Sequence, residues 1–228
     1  MNTESLLYGI SVWAIPAIIA ITFHEAAHGF VAWRLGDDTA YRQGRVSFNP
    51  FRHVDPFGTI LMPALLLLAR APFLFGWAKP VPVNFNRLRH PRRDMVWVAA
   101  AGPGINLALA TLSALLVHIV PLLPNVAAAW AQNNLVNSIE INLVLAVFNM
   151  IPLPPLDGGR VAVGILPHAL AMPLARLERV GLLIIILVMF ILPMLGREIG
   201  VRLDVFGWLL DGPVSWLFDI IAKITGHG

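Results

Sequence analysis

Long uncharged stretches alternate with short, strongly polar connections along the chain. Residues 5 to 24 contain no Asp, Glu, Lys or Arg, and beyond Glu25 the apolar character resumes through Trp33. A helix needs about 20 mostly apolar residues to cross the hydrocarbon core of a bilayer. The pattern therefore predicts one helix from about Leu6 to Leu35, stopped by Gly36-Asp37-Asp38. Residues 37 to 57 are polar, with turn residues and an alternation in RVSFNPF, and predict a loop with one or two short strands. Residues 58 to 75 are apolar but interrupted by Pro63, Arg70 and Pro72, and residues 76 to 93 are rich in Pro, Asn and Arg. From Met95 to Ile139 the charges disappear again. That predicts a span over about 95 to 120, a turn at Pro121 and Pro124, and the start of another helix. An apolar segment over about 139 to 153 then breaks up in NMIPLPPLDGG. Two further candidates are a clean one over 180 to 195 and one over 203 to 222. The Asp204, Asp211, Gly212-Pro213 and Asp219 of the latter leave it either spanning or lying in the interface. With no internal repeat and no low-complexity linker, residues 1 to 228 read as one domain, with core motifs in about 20 to 160 and C-terminal helices in about 177 to 222.

Composition turns this pattern into a class. Of 228 residues, 57% are hydrophobic and 13% charged, against about 25% charged and 45–50% apolar in soluble domains. An ordinary soluble domain and a disordered chain are both excluded. The expected fold class is an all-α membrane protein, a polytopic helical bundle of about five to six transmembrane segments with a small membrane-associated β/loop region. The N-terminus carries Glu4 and no Lys or Arg before the apolar run, so the first helix reads as retained rather than cleaved. A net charge of +3 without a basic stripe gives no footprint for nucleic acid. With no Cys there is no disulfide, no cysteine nucleophile and no thiolate metal site, so any metal falls to His, Asp, Glu or carbonyls.

Cytoplasmic loops collect Lys and Arg. Arg42, Arg45 and Arg52 lie in one loop and Lys79, Arg87, Arg89, Arg92 and Arg93 in the next, while Arg160, Arg176 and Arg179 follow the broken segment. The expected arrangement is a multi-pass protein of the cell (inner) membrane. Residues 36 to 57 face the cytoplasm, residues 121 to 138 face outward, and the active site lies toward the cytoplasmic side. Both flanks of 58 to 75 are basic, so that segment either enters and leaves on one side or escapes the rule.

The sharpest chemical signal is His24-Glu25-Ala26-Ala27-His28. Residues four apart share a helix face, so both imidazoles reach one metal ion, and the Glu between them is placed to take a proton from water at that metal. One central charge in a membrane helix costs about 2.5–3.5 kcal/mol on insertion scales, which marks such groups as functional. Catalytic zinc usually has three protein ligands. Asp157 is the leading third candidate, since broken backbone at membrane depth lines a protected cavity. Glu140 is its rival.

These residues carry a resemblance. The chain resembles the site-2 protease family of intramembrane zinc metalloproteases in HEAAH, LGDDTAYRQGRVSFNPFRHVDPFGT, GWAKPVPVN, AGPGIN and FNMIPLPPLDGGR, in that order, over about residues 20 to 160. The resemblance implies His24, His28 and Asp157 on one zinc ion and Glu25 as base. It implies that Asn149 sits beside the metal, where an amide holds the substrate carbonyl or meets a developing oxyanion, and that Asn106 positions substrate. His53 fits the family pattern with no role beyond turn geometry. No PDZ or CBS insertion is recognisable, so the chain resembles the short, core-only members.

The expected function is zinc-dependent cleavage of the transmembrane segments of other proteins, that is, regulated intramembrane proteolysis. Transmembrane protein substrates and the lipid bilayer are the expected partners. Residues 44 to 56 and 76 to 85 would offer an edge to which an unwound substrate adds as a strand. The alternatives are a membrane metal carrier with the same ligands and a catalytically inactive scaffold that binds transmembrane helices. Neither needs a Glu between the histidines.

Overall fold

A computed structural model describes residues 3–68 and 76–228, and in it each long uncharged stretch outside 58–75 is helical. The α-helices of the described residues are α1 (Thr3–Arg34), α2 (Thr39–Arg42), α3 (Met62–Leu68), α4 (Pro91–Val117), α5 (Asn125–Asn149), α6 (Asp157–Ile165), α7 (His168–Arg176), α8 (Glu178–Ile186), α9 (Leu192–Glu198) and α10 (Val205–Ile224). A wider turn at Leu187–Ile191 joins α8 and α9 into one rod. The starts follow local chemistry. Pro91, which needs no N–H in a first turn, opens α4, and the Asp204 carboxylate caps α10 by accepting from the Gly207 N–H at 2.9 Å.

Four helices of the described residues are long and apolar enough to cross a membrane: Leu7–Arg34, Pro91–Val117, Glu178–Glu198 and Val205–Ile224. The chain is an all-α membrane protein, as its sequence pattern predicts. The segment expected at 139 to 153 is the end of α5, whose 25 residues reach about 37 Å. That helix carries Gln132, Asn133, Asn134, Asn137, Glu140 and Asn142 and is the less apolar for them. The segment over 58 to 75 lies partly outside the described residues.

Helices α1, α4 and α5 pack on one another, α6 lies against α4, and α10 against α5. Small side chains let the backbones approach. Ala110 and Ala114 of α4 are buried with Ile139 and Leu143 of α5 and Ile221 of α10. Large apolar side chains such as Ile18, Leu183 and Trp216 point outward, as an apolar solvent allows.

Residues 76 to 84 run past α1 as a strap without regular secondary structure. No strand forms among the described residues, which corrects the expected β region. The Trp77 N–H donates to the Gly58 carbonyl at 3.1 Å and the Lys79 N–H to that of His53 at 2.9 Å. Pro80 and Pro82 have no N–H with which to continue such a ladder. Residues 44 to 56 form turns instead, including a one-turn helix, Pro50–Arg52, capped by Asn49.

Candidate metal centre

His24, Glu25 and His28 lie in the C-terminal half of α1, with His24 about 15 Å along the axis from the helix end at Arg34. Both histidines are buried. The His28 Nδ1 lies 2.7 Å from the Val98 carbonyl. A carbonyl only accepts, so this nitrogen carries the proton and Nε2 presents a lone pair. The His24 Nδ1 lies 2.6 Å from Asn106 Oδ1. The Asn106 Nδ2 end is committed as a donor to Asn142 Oδ1 at 2.7 Å and to the Ala20 carbonyl at 3.3 Å. His24 therefore also donates from Nδ1 and bares Nε2.

The third group arrives from the broken segment. Pro152, Pro154 and Pro155 end the helical path after α5, and α6 starts at Asp157. A Cβ on Gly158 would collide with the Met150 backbone, so only glycine lets this turn close enough to present Asp157. Its Oδ2 lies 3.2 Å from His24 Nε2 and 3.3 Å from His28 Nε2, and the two Nε2 atoms are 3.0 Å apart. Gly102 of α4 makes the room, since a Cβ there would sit 2.5 Å from His24 Cε1 and from His28 Nε2.

Two bare imidazole nitrogens and a buried carboxylate oxygen without a hydrogen-bond donor thus converge. A bound metal cation reconciles them. The separations are those of one face of a tetrahedron around zinc, whose bonds of about 2.0–2.1 Å give edges of about 3.3 Å. An N,N,O donor set suits zinc far better than magnesium or calcium. The three residues fit zinc. Glu140, the rival ligand, is exposed on α5 and stands outside this group.

Glu25 is half-buried, and its Oε2 accepts the Val81 N–H of the strap at 2.7 Å. His24, Glu25, His28, Asn149 and Asp157 line one cleft of about 390 Å³, roofed by residues of the strap. Asn149 donates from Nδ2 to the Leu145 carbonyl at 3.0 Å. Asn106, expected at the substrate, is fully buried, does not line the cleft and spends its amide on His24, Asn142 and Ala20. His53 is buried and closes its turn by donating from Nε2 to the Ser47 carbonyl at 2.8 Å.

Three supporting residues escaped the sequence reading. Asn142 backs Asn106, and the signal for it was an amide inside a long helix. Arg45 is 6% exposed and donates from Nη2 to the Lys79 carbonyl at 2.7 Å, pinning the strap. Burial pushes the Arg45 guanidinium down from its ordinary pKa, and the nearby Glu25 carboxylate opposes this. The fully buried Asp37 accepts the Asn84 N–H at 2.6 Å and holds the strap's far end. The signals for these two were charges in a polar loop, with nothing local to show their burial.

The chain is 40% identical over 184 residues to the Bacillus subtilis (strain 168) protein named "Putative zinc metalloprotease YwhC", covering 79% of this chain and 80% of that one. It is 30% identical over 223 residues to Rip2 of Mycobacterium tuberculosis (strain ATCC 25618 / H37Rv), of the same designation, covering 96% and 78%. It is 30% identical over 160 residues to MJ0611 of Methanocaldococcus jannaschii, again so designated, covering 70% and 72%. No family model matches the chain. No solved structure matches it.

Proposed function

We propose that this chain, which belongs to the zinc metalloprotease family of YwhC, Rip2 and MJ0611, is an intramembrane endopeptidase of the site-2 protease type that cuts the transmembrane segments of other proteins. The observation that carries this reading is the place of the metal centre: two histidines with an acid between them on a helix long and apolar enough to cross a bilayer, met by Asp157 at the start of α6, which packs on a second such helix, α4.

Zinc, when bound, supplies a Lewis acid that polarises a carbonyl and lowers the pKa of water toward 7. The remaining work belongs to the chain. His24 and His28 donate backward from Nδ1, to Asn106 and Val98, and so keep Nε2 free and aimed. Glu25, steadied by the Val81 N–H, takes the proton of the attacking water at its carboxylate and returns it to the leaving amine. Asn149, on the wall of the same cleft, stabilises the charge that develops on the carbonyl oxygen.

A substrate helix hides its amides in its own hydrogen bonds, so it must unwind locally before attack. The strap along the roof of the cleft supports docking of the unwound stretch beside it, chiefly through the strap's carbonyls. Basic loops at 42–52 and 79–93 support an active site toward the cytoplasmic side.

The test is to reconstitute the chain in vesicles with a tagged single-span substrate and to locate the cut by mass spectrometry of the fragments. The expected bond lies inside the substrate's apolar span and its cleavage requires zinc. Cuts confined to loops outside the bilayer would contradict the proposal.

A further inference from the structure

An asparagine amide can be turned end for end, and at Asn106 the direction matters. As placed, its Oδ1 faces His24 Nδ1 at 2.6 Å. Reversed, its NH₂ would face that nitrogen, His24 would have to accept there, and the imidazole proton would move to Nε2, the nitrogen that faces the metal. A histidine in that tautomer has no lone pair left for zinc. Whatever holds Asn106 one way round therefore keeps His24 a ligand.

Asn142 of α5 stands against the other end of the amide and is 1% exposed. Its own direction is fixed. Its Nδ2 donates to the Ser138 carbonyl, one turn back, at 2.8 Å, which leaves Oδ1 to accept from Asn106 Nδ2 at 2.7 Å. The Ser138 hydroxyl accepts from Ser113 of α4 at 2.8 Å, tying the same two helices together one turn further along. The Ala20 carbonyl, at 3.3 Å from Asn106 Nδ2, acts in the same sense over a longer contact.

We propose that Asn142, which touches neither a zinc ligand nor the cleft, is a positioning residue that selects the zinc-binding tautomer of His24 through Asn106. The proposal rests on the zinc assignment and is independent of the substrate proposed above.

The experiment measures zinc affinity by chelator competition on the full chain, purified and monodisperse in detergent, with ¹⁵N spectra of the imidazoles in the zinc-free protein. Asn142→Leu keeps the approximate shape and removes the acceptor. Its zinc affinity is expected to fall by up to about tenfold, the low edge of the loss when the direct partner of a metal-bound histidine is removed, since Asn142 acts one contact further out and a mixture of tautomers leaves part of the protein competent. The His24 signals are expected to change from one tautomer to a mixture. Asn106→Asp presents an acceptor whichever way it turns, so in that background the Leu substitution is expected to change affinity by no more than about threefold. Undiminished affinity in Asn142→Leu overturns the proposal. So does an equal loss in both backgrounds, which would mark a packing defect. Should the Leu variant not fold, Asn142→Ala is read against the same two outcomes. Because the readout is zinc affinity, an absence of proteolysis in the wild-type chain would overturn the proposed function and not this inference.

Discussion

At the scale of single residues, the centre depends on one carboxylate brought in from another part of the chain and on one missing side chain. Asp157→Ala leaves two histidines, too few to hold zinc firmly. Zinc per chain is expected to fall well below that of the wild type and cleavage to vanish, with helicity unchanged. Full zinc occupancy in that variant, measured by elemental analysis, would contradict the ligand assignment. Gly102→Ala places a methyl group against both imidazoles. Overpacking of this kind costs about 1–3 kcal/mol, and here the strain falls on the ligands, so zinc affinity should drop as well. Gly104→Ala is the control two residues on, where a Cβ meets nothing within 4 Å. It should leave zinc affinity alone and stabilise the chain by up to about 1 kcal/mol. The spacing of His24, Glu25 and His28 on one turn was readable in the sequence because helical geometry alone brings them together. Asn142 was not, since it is one of several asparagines in α5 and its partner lies 36 positions away.

At the scale of elements, the strap is the part that sequence pattern described least well. Residues 76 to 85 read as an edge with strand and turn character, and the backbone there forms no regular strand. The ladder fails because two prolines interrupt the donors and because Glu25 takes the N–H of Val81. The pattern of side chains says nothing of that last contact, which joins positions 56 apart. Arg45 holds the strap through the Lys79 carbonyl. Arg45→Met should therefore loosen the strap and misplace the base without touching the metal. A loss of turnover on the order of 10–100-fold is expected, with zinc content unchanged and faster limited proteolysis between residues 76 and 85. Unchanged turnover would show that the strap does not align Glu25. The long apolar helices, by contrast, were read to within a few residues, because runs without charge have few other stable forms in a bilayer, whereas the short α6 and α7 were not read. The exception is α5, whose buried amides lowered its apolar signal while tying it to α1 and α4.

At the scale of the whole molecule, the placement of basic residues bears on sidedness and the metal centre on chemistry. A reporter fused within residues 121 to 134 is expected outside the cytoplasm and one within 84 to 93 inside it, because the first stretch is uncharged and the second carries four of the five basic residues in 79 to 93. The reverse result would move the metal centre toward the outer leaflet. The chemical claim is that this membrane-embedded zinc site hydrolyses peptide bonds with Glu25 as its base, rather than carrying metal or merely holding helices. The most direct measurement is the turnover of a tagged transmembrane substrate by Glu25→Gln, with zinc counted on the same sample. The account predicts wild-type zinc, retained substrate binding and a fall in cleavage of at least about 10²–10⁴-fold. Wild-type cleavage by the zinc-loaded Gln variant would contradict it.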